Sequence, residues 1–234
     1  MNICIFKHCN LSQLDNIILG ENDIHVWIIN WKGIDTWINE NISILDEDEI
    51  KEAYEFYCND DRTRYIVGRV LTRILAVNYL NIKDQEVVIK RGVYGKPYLK
   101  CDSKKRLHHN ISHSGDYVLL AFSYIGSIGI DIEKQEVFEE YKEISEFFHE
   151  TEYKEISDKN SIYTFYKFWT EKEAYIKSIG KGLYVELDSF YITKDGIYQK
   201  GLKLTEYFLY SLKVAEDYSA ALVINRRKEG KYEV

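Results

Sequence analysis

Proline occurs once in this 234-residue chain, at Pro97, and no glycine- and serine-rich tract occurs, so composition marks no linker. No run approaches the roughly 18 uninterrupted apolar residues of a membrane span. A basic surplus is also missing: 31 Lys and Arg face 38 Asp and Glu, a net charge of −7. Phosphate backbones demand a basic footprint, so nucleic acid is excluded as the main partner, while a local basic pocket for a small phosphorylated ligand stays open. Cysteine is scarce as well. Cys4, Cys9, Cys58 and Cys101 form no CxxC pair and no regular framework, which suits a reducing compartment with the thiols as bystanders. The start, Met1 to His8, lacks the basic opening and apolar run of a signal peptide, and a cytoplasmic protein is expected.

What the chain does have is concentrated in Trp169-Thr170-Glu171-Lys172-Glu173-Ala174-Tyr175-Ile176-Lys177. Trp169, Lys172, Glu173, Ile176 and Lys177 recur at helical spacing and share one face. Polar groups on such a face need partners if buried. Upstream, Ile128-Gly129-Ile130-Asp131-Ile132-Glu133 reads as a strand with Asp131 and Glu133 on one face and the isoleucines on the other. Three carboxylates from two elements suit Mg²⁺, which takes carboxylate, water and phosphate oxygens. The plainer alternative is a solvated strand face and a Glu173–Lys177 pair at i, i+4.

The order of elements hints at a repeat. A strand at Val26–Ile29 is followed by helical pattern from the acidic run at Asp46–Glu49 to about Leu80, then strands at Val87–Lys90 and Asp116–Phe122. A strand at 128–132, helices over 139–179 and strands at 189–192 and 217–223 repeat that order. The two Asp-Tyr strands, at Asp116 and Asp217, are 101 residues apart, as are Val88 and Ser189. The expected fold is α+β, a pseudo-dimer of halves 1–124 and 125–234 related by a pseudo-two-fold, with the active site at their interface.

Other segments read two ways. His109-Asn110-Ile111-Ser112-His113-Ser114-Gly115-Asp116 suits an anion, or is a polar hairpin turn. Gly92 to Leu99 holds Lys96 before Pro97 in extended chain, fit to meet a phosphate or merely to join strands. Gly180-Lys181-Gly182 is a helix C-cap and turn. His108, His109 and His113 come with no HExxH motif or cysteine pair, which speaks against zinc.

Taken together, Gly95-Lys96-Pro97, Asn110 to Gly115, Gly129 to Glu133 and Trp169…Lys172-Glu173-Ala174…Lys177…Gly180…Gly182-Leu183 resemble the Sfp-type 4′-phosphopantetheinyl transferases, in the family's order over roughly Asp46 to Leu222. The resemblance implies a two-half α+β pseudo-dimer whose second half corresponds to a protomer of the trimeric holo-acyl-carrier-protein synthases. It implies transfer of 4′-phosphopantetheine from coenzyme A to a carrier-protein serine, releasing adenosine 3′,5′-bisphosphate. Asp131, Glu133 and Glu173 match the family's Mg²⁺ ligands, and Glu173 also the base that takes the serine proton. Lys177 matches the lysine that contacts the diphosphate and protonates the leaving oxygen, with Lys172 a supporting charge near the same phosphates. Ser112 and His113 match phosphate contacts, Lys96 and Pro97 a segment lining the adenine end, and Arg64 an arginine on the 3′-phosphate. Trp169 matches a signature residue whose role is packing.

The chain departs from its relatives before Phe56-Tyr57. Where they carry a lysine-rich turn for the 3′-phosphate, it has Asp46-Glu47-Asp48-Glu49-Ile50-Lys51-Glu52, which implies weak discrimination between coenzyme A and its 3′-dephospho form. His109 also replaces an apolar residue usual before Asn110. A monomer is expected, since the duplication supplies both sides of the site. Two alternatives stand beside the transferase: another Mg²⁺-dependent phosphoryl-transfer enzyme or nuclease using the same carboxylates, and a non-catalytic coenzyme A or carrier-protein binding module. No motif names the carrier, although the resemblance points to secondary metabolism and the aromatic stretch Phe138 to Tyr153 is a candidate docking or core segment.

Overall fold

The computed structural model describes residues 1–7, 11, 14, 17–100 and 106–226, so Cys9 and Cys101 lie outside the described residues. The chain divides into two units, residues 1–90 with 97–125, and residues 91–96 with 126–234.

The first unit contains β1 (Asn2–Lys7), β2 (Asp23–Asn30), α1 (Asp35–Asn41), α2 (Glu47–Glu55), α3 (Asn59–Leu80), β3 (Val88–Arg91, all but its last residue), β4 (Pro97–Lys100), β5 (His108–Ser114) and β6 (Tyr117–Ser123). Its main sheet has the order β1-β2-β6-β5, with β3 and β4 paired separately. Strand β1 runs parallel to β2, and the other pairs of the main sheet are antiparallel. Trp27 and Ile29 of β2 and Val118, Leu120 and Phe122 of β6 alternate onto the face that packs with Val67, Val70, Leu71 and Leu75 of α3. Helix α3 opens on Asp60 and Asp61, which suit the positive end of its dipole, and ends at Asn81 in the left-handed conformation.

The helical pattern expected from Asp46 to Leu80 is two helices, because Phe56 and Cys58 take extended backbone. The physical reason lies in the acids. Asp46 caps α2 in a reciprocal capping box with Glu49. Arg73 of α3 then donates to Glu49 at 2.6 Å and to Asp46 at 2.5 Å, while Arg69 lies 3.6 Å from Glu52. In one straight helix, residues 49 and 73 would stand about 36 Å apart. Folding α2 back onto α3 brings them together.

The second unit contains β7 (Ile128–Lys134), α4 (Tyr141–Ser145), α5 (Glu150–Lys159), α6 (Ile162–Ile179), β8 (Phe190–Thr193), β9 (Gly196–Gln199), β10 (Leu202–Lys203), β11 (Tyr207–Ser211) and β12 (Tyr218–Asn225). Its two antiparallel sheets have the orders β11-β12-β7 and β10-β9-β8. Ser161 caps α6 at its start, and Gly180, with φ 77°, closes it in the left-handed region. Phe165, Phe168, Tyr175 and Ile176 of α6 form the core with Phe148, Phe190, Ile192, Ala221 and Val223.

Each unit therefore runs strand, long helix, hairpin and two more strands. The order β2-β6-β5 in the first equals β7-β12-β11 in the second. The central strands begin at Tyr117 and Tyr218, at the spacing that suggested a repeat. The architecture is α+β, with an internal duplication of topology.

Candidate functional site

In the second unit the site grows from a close approach of helix and strand. A Cβ placed on Gly129 of β7 would stand 2.0 Å from the Ala174 carbonyl oxygen and 2.4 Å from the Ser178 nitrogen of α6. Only glycine fits there. Asp131 and Glu133 follow on the same face of β7, and their cross-strand partners are Ala221 and Ser219.

At this approach Lys177 donates from Nζ to Asp131 Oδ1 at 2.6 Å. Asp131 is buried and Lys177 partly exposed. Glu173, one turn before Lys177, has its carboxyl raised above the ordinary range. Burial is the main cause and the Asp131 charge adds to it, while Lys177 opposes both. Asp131, Glu173 and Lys177 thus form one electrostatic cluster. The i, i+4 contact weighed as the plainer alternative is not the one α6 makes at closest range: Lys177 reaches across to the strand.

Glu133 lies further along β7. Its neighbours are set by Ser219, which shares a 3.0 Å hydrogen bond with Thr170, and by Tyr166, whose hydroxyl is raised by burial and partly by the Glu133 charge. Among the described residues, no three His, Cys, Asp or Glu side chains stand where they could hold a metal ion by themselves. The donor chemistry nevertheless fits a hard cation. Asp131 and Glu173 are oxygen donors whose mutual repulsion a divalent ion would relieve, and Mg²⁺ is commonly held by one or two carboxylates with waters and substrate phosphates.

Lys172, expected beside the ligand's phosphates, is instead a core residue. Around the helix, Lys172 and Lys177 point about 140° apart, so a shared broad face does not give them a shared target. The Lys172 ammonium is fully buried and pairs with Glu152 of α5 at 2.7 Å. It also donates to the carbonyls of Leu187 and Phe190 at 2.7 and 2.9 Å. Two carbonyl hydrogen bonds and a buried ion pair thus hold the ammonium inside the core, away from a ligand. Trp169 packs as expected, stacked with Phe148 and Phe165.

Lys96, the turn residue of the β3–β4 hairpin, belongs with the second unit. Its Nζ donates to Ser127 Oγ at 3.0 Å and to the Ile128 carbonyl at 2.9 Å, and its stem lies against Gly180. Ser127 in turn donates to the Ser178 carbonyl. Lys96 thereby brackets the start of β7 to the end of α6. Pro97 opens β4, where its missing N–H costs nothing at a strand start.

In the first unit, Arg64 donates to the Gly115 carbonyl at 2.8 Å and to Asp61 at 2.5 Å, with Trp31 beside it. Arg64 holds the Asp61 carboxyl below its usual range, burial opposes this, and His113 adds a smaller lowering. His113 therefore belongs to the Arg64 cluster. Ser112 does not: adjacent strand residues point to opposite faces, and Ser112 is buried on the other side of β5. Of the segment read as an anion site or a polar hairpin turn, the part up to Ser114 is strand β5, and the hairpin turn is confined to Gly115, at φ 53°, and Asp116. Asp61 was missed, although its i, i+3 spacing to Arg64 is a readable signal. The acidic segment 46–52 spends Asp46, Glu49 and Glu52 on α3 rather than presenting them to a ligand.

Residues 29–124 match the family described as 4′-phosphopantetheinyl transferase, N-terminal, and residues 127–223 match the 4′-phosphopantetheinyl transferase superfamily. The 4′-phosphopantetheinyl transferase gsp of Aneurinibacillus migulanus is 37% identical over 151 residues, 63% of this chain and 61% of the relative. The 4′-phosphopantetheinyl transferase HetI of Nostoc sp. is 29% identical over 184 residues, 76% of this chain and 78% of the relative. The 4′-phosphopantetheinyl transferase Sfp of Bacillus subtilis is 35% identical over 154 residues, 64% of this chain and 66% of the relative. Against gsp and Sfp the matched stretch thus spans somewhat less than two thirds of the relative. The two family matches adjoin at residues 124 and 127 and together take in most of the sequence: the chain belongs to the 4′-phosphopantetheinyl transferase superfamily.

Proposed function

We propose that this protein transfers the 4′-phosphopantetheine arm of coenzyme A to a serine hydroxyl of an acyl or peptidyl carrier protein. The observation that carries the reading is the Asp131–Lys177–Glu173 cluster at the closest approach of α6 to β7, inside the segment that matches the superfamily. In the reaction, the serine oxygen attacks the phosphorus that bears the pantetheine arm. The bond from that phosphorus to the 5′-phosphate oxygen breaks, and adenosine 3′,5′-bisphosphate leaves.

Glu173 takes the serine proton, directly or through a water. General base assistance of this kind is typically worth about 10²–10⁴ in rate. Lys177 reaches the diphosphate from its place on Asp131 and supplies charge, and a proton, to the leaving oxygen. Asp131 holds that ammonium in place, and Asp131 and Glu173, with Glu133 further along β7, would supply carboxylates for Mg²⁺ whose shell waters and substrate phosphate oxygens would complete. When bound, Mg²⁺ would neutralise diphosphate charge. Arg64 and His113 form an anion site for the 3′-phosphate in the first unit. Lys96 and Pro97 shape the hairpin at the adenine end. No helix among the described residues is long and apolar enough to cross a membrane. A cytoplasmic monomer is the working form.

The test is an intact-mass spectrum of an apo carrier protein incubated with this protein, coenzyme A and Mg²⁺. A gain of about 340 Da that disappears with EDTA supports both the transfer and the metal requirement. No gain on fatty-acid, polyketide and peptide carriers, with coenzyme A still bound in calorimetry, would favour a binding module.

A further inference from the structure

The second unit contains a buried ion pair that the transfer chemistry leaves unused. Lys172 is 0% and Glu152 1% exposed at the side chain, and their charged atoms are 2.7 Å apart. Around them, Lys172 donates to the Leu187 and Phe190 carbonyls and lies 4.0 Å above the Phe190 ring. Glu152 accepts from the Ile192 backbone N–H at 2.8 Å. One ammonium thus ties α6 to α5 and to the chain entering β8.

Stability does not explain such a pair. Apolar residues of similar volume commonly hold a core as well as a buried ion pair or better. What the pair adds is direction, since hydrophobic contact is non-directional. Direction is needed here. Helix α6 lies on β7 at Gly129, which has no side chain to index the helix. Ser127 and Ser219 bond it on the sheet side, and the Lys172 pair holds another side of the helix to α5 and β8. A rotation of about 20° about the helix axis moves a side-chain tip by roughly 2 Å, and a misplacement of about 1 Å can cost on the order of 10²-fold in rate.

We propose that Glu152 is a positioning residue: through Lys172 it fixes the rotation of α6 and so delivers Glu173 and Lys177 to Asp131. The inference rests on the reaction proposed above. A structural role alone would be replaceable by apolar packing, whereas a positioning role would not.

The double variant Glu152→Met/Lys172→Met separates the two. Expected are a melting temperature equal to or above wild type and a kcat for carrier modification at least about tenfold lower, with the coenzyme A KM within threefold. Retained stability with kcat within threefold of wild type would overturn the proposal. Should the double variant fail to fold, Glu152→Gln/Lys172→Met keeps the acceptor for the Ile192 N–H and is judged by the same criteria. If wild type modifies no carrier, the reaction reading falls separately, and amide hydrogen exchange decides on the pair. Exchange at Glu173 and Lys177 at least tenfold faster in the folded variant supports positioning, and unchanged protection overturns it.

Discussion

The ammonium of Lys177 lies 2.6 Å from Oδ1 of Asp131, across the gap between α6 and β7 that Gly129 narrows. This contact fixes the end of a flexible side chain beside Glu173, so a carboxyl and an ammonium stand together at a helix–strand junction. Lys177→Met should lower kcat by at least about 10²-fold, because charge on the leaving oxygen loses its partner. Single-turnover carrier modification checks it, with circular dichroism to confirm folding. A loss below tenfold would remove Lys177 from the reaction.

Gly129→Ala forces a methyl group into the backbone of α6. Overpacking typically costs about 1–3 kcal/mol, which for a chain of this size lowers the melting temperature by about 2–12 °C. Differential scanning calorimetry measures it. The loss of activity should exceed the loss of folded protein, since the helix that must move carries Glu173 and Lys177.

Discrimination against 3′-dephospho-coenzyme A should be weak. Arg64 is already engaged by Asp61 and the Gly115 carbonyl, and Lys51, the one basic residue of segment 46–52, is exposed beside Asp48. A kcat/KM ratio below about 100-fold between the two donors, or ~2.7 kcal/mol, is the expected outcome. A larger ratio would mean a stronger 3′-phosphate site than Arg64 and His113 provide.

Glu152 gives a pH dependence with a definite sign. Burial pushes its carboxyl up to about 7, against the opposing charge of Lys172. The folded state then binds more protons than the unfolded chain between about pH 4.5 and 7, so stability falls as pH rises through that window. Glu152→Gln removes this titration and leaves Lys172 in place. The wild-type melting temperature should therefore drop relative to the variant's between pH 5 and 7. Parallel curves would show that Glu152 titrates as an ordinary carboxylate.

The elements that build the junction were legible because each carries a local signal. Asp131 and Glu133 alternate with isoleucines, Gly180 caps α6, and Tyr117 and Tyr218 open equivalent strands. What was not legible depends on partners distant in sequence. The break at Phe56–Cys58 follows from acids on α2 that meet Arg69 and Arg73, more than a dozen residues on. The inward turn of Lys172 follows from Glu152, one acid among several on α5. Lys96 is satisfied by a backbone carbonyl and a serine hydroxyl, neither of which leaves a pattern. Strand β5 was hidden because its polar residues sit on an edge strand, where alternation is weak.

The central claim, that Glu173 works at this junction as the base, is tested most directly by one comparison. Wild type and Glu173→Gln are loaded with coenzyme A and Mg²⁺ to equal occupancy by calorimetry, and carrier mass is followed over a single turnover. Wild type should convert the carrier fully, with a gain of about 340 Da, while Glu173→Gln binds coenzyme A within about tenfold yet transfers at least 10²-fold more slowly. Transfer by the variant at the wild-type rate would contradict the assignment.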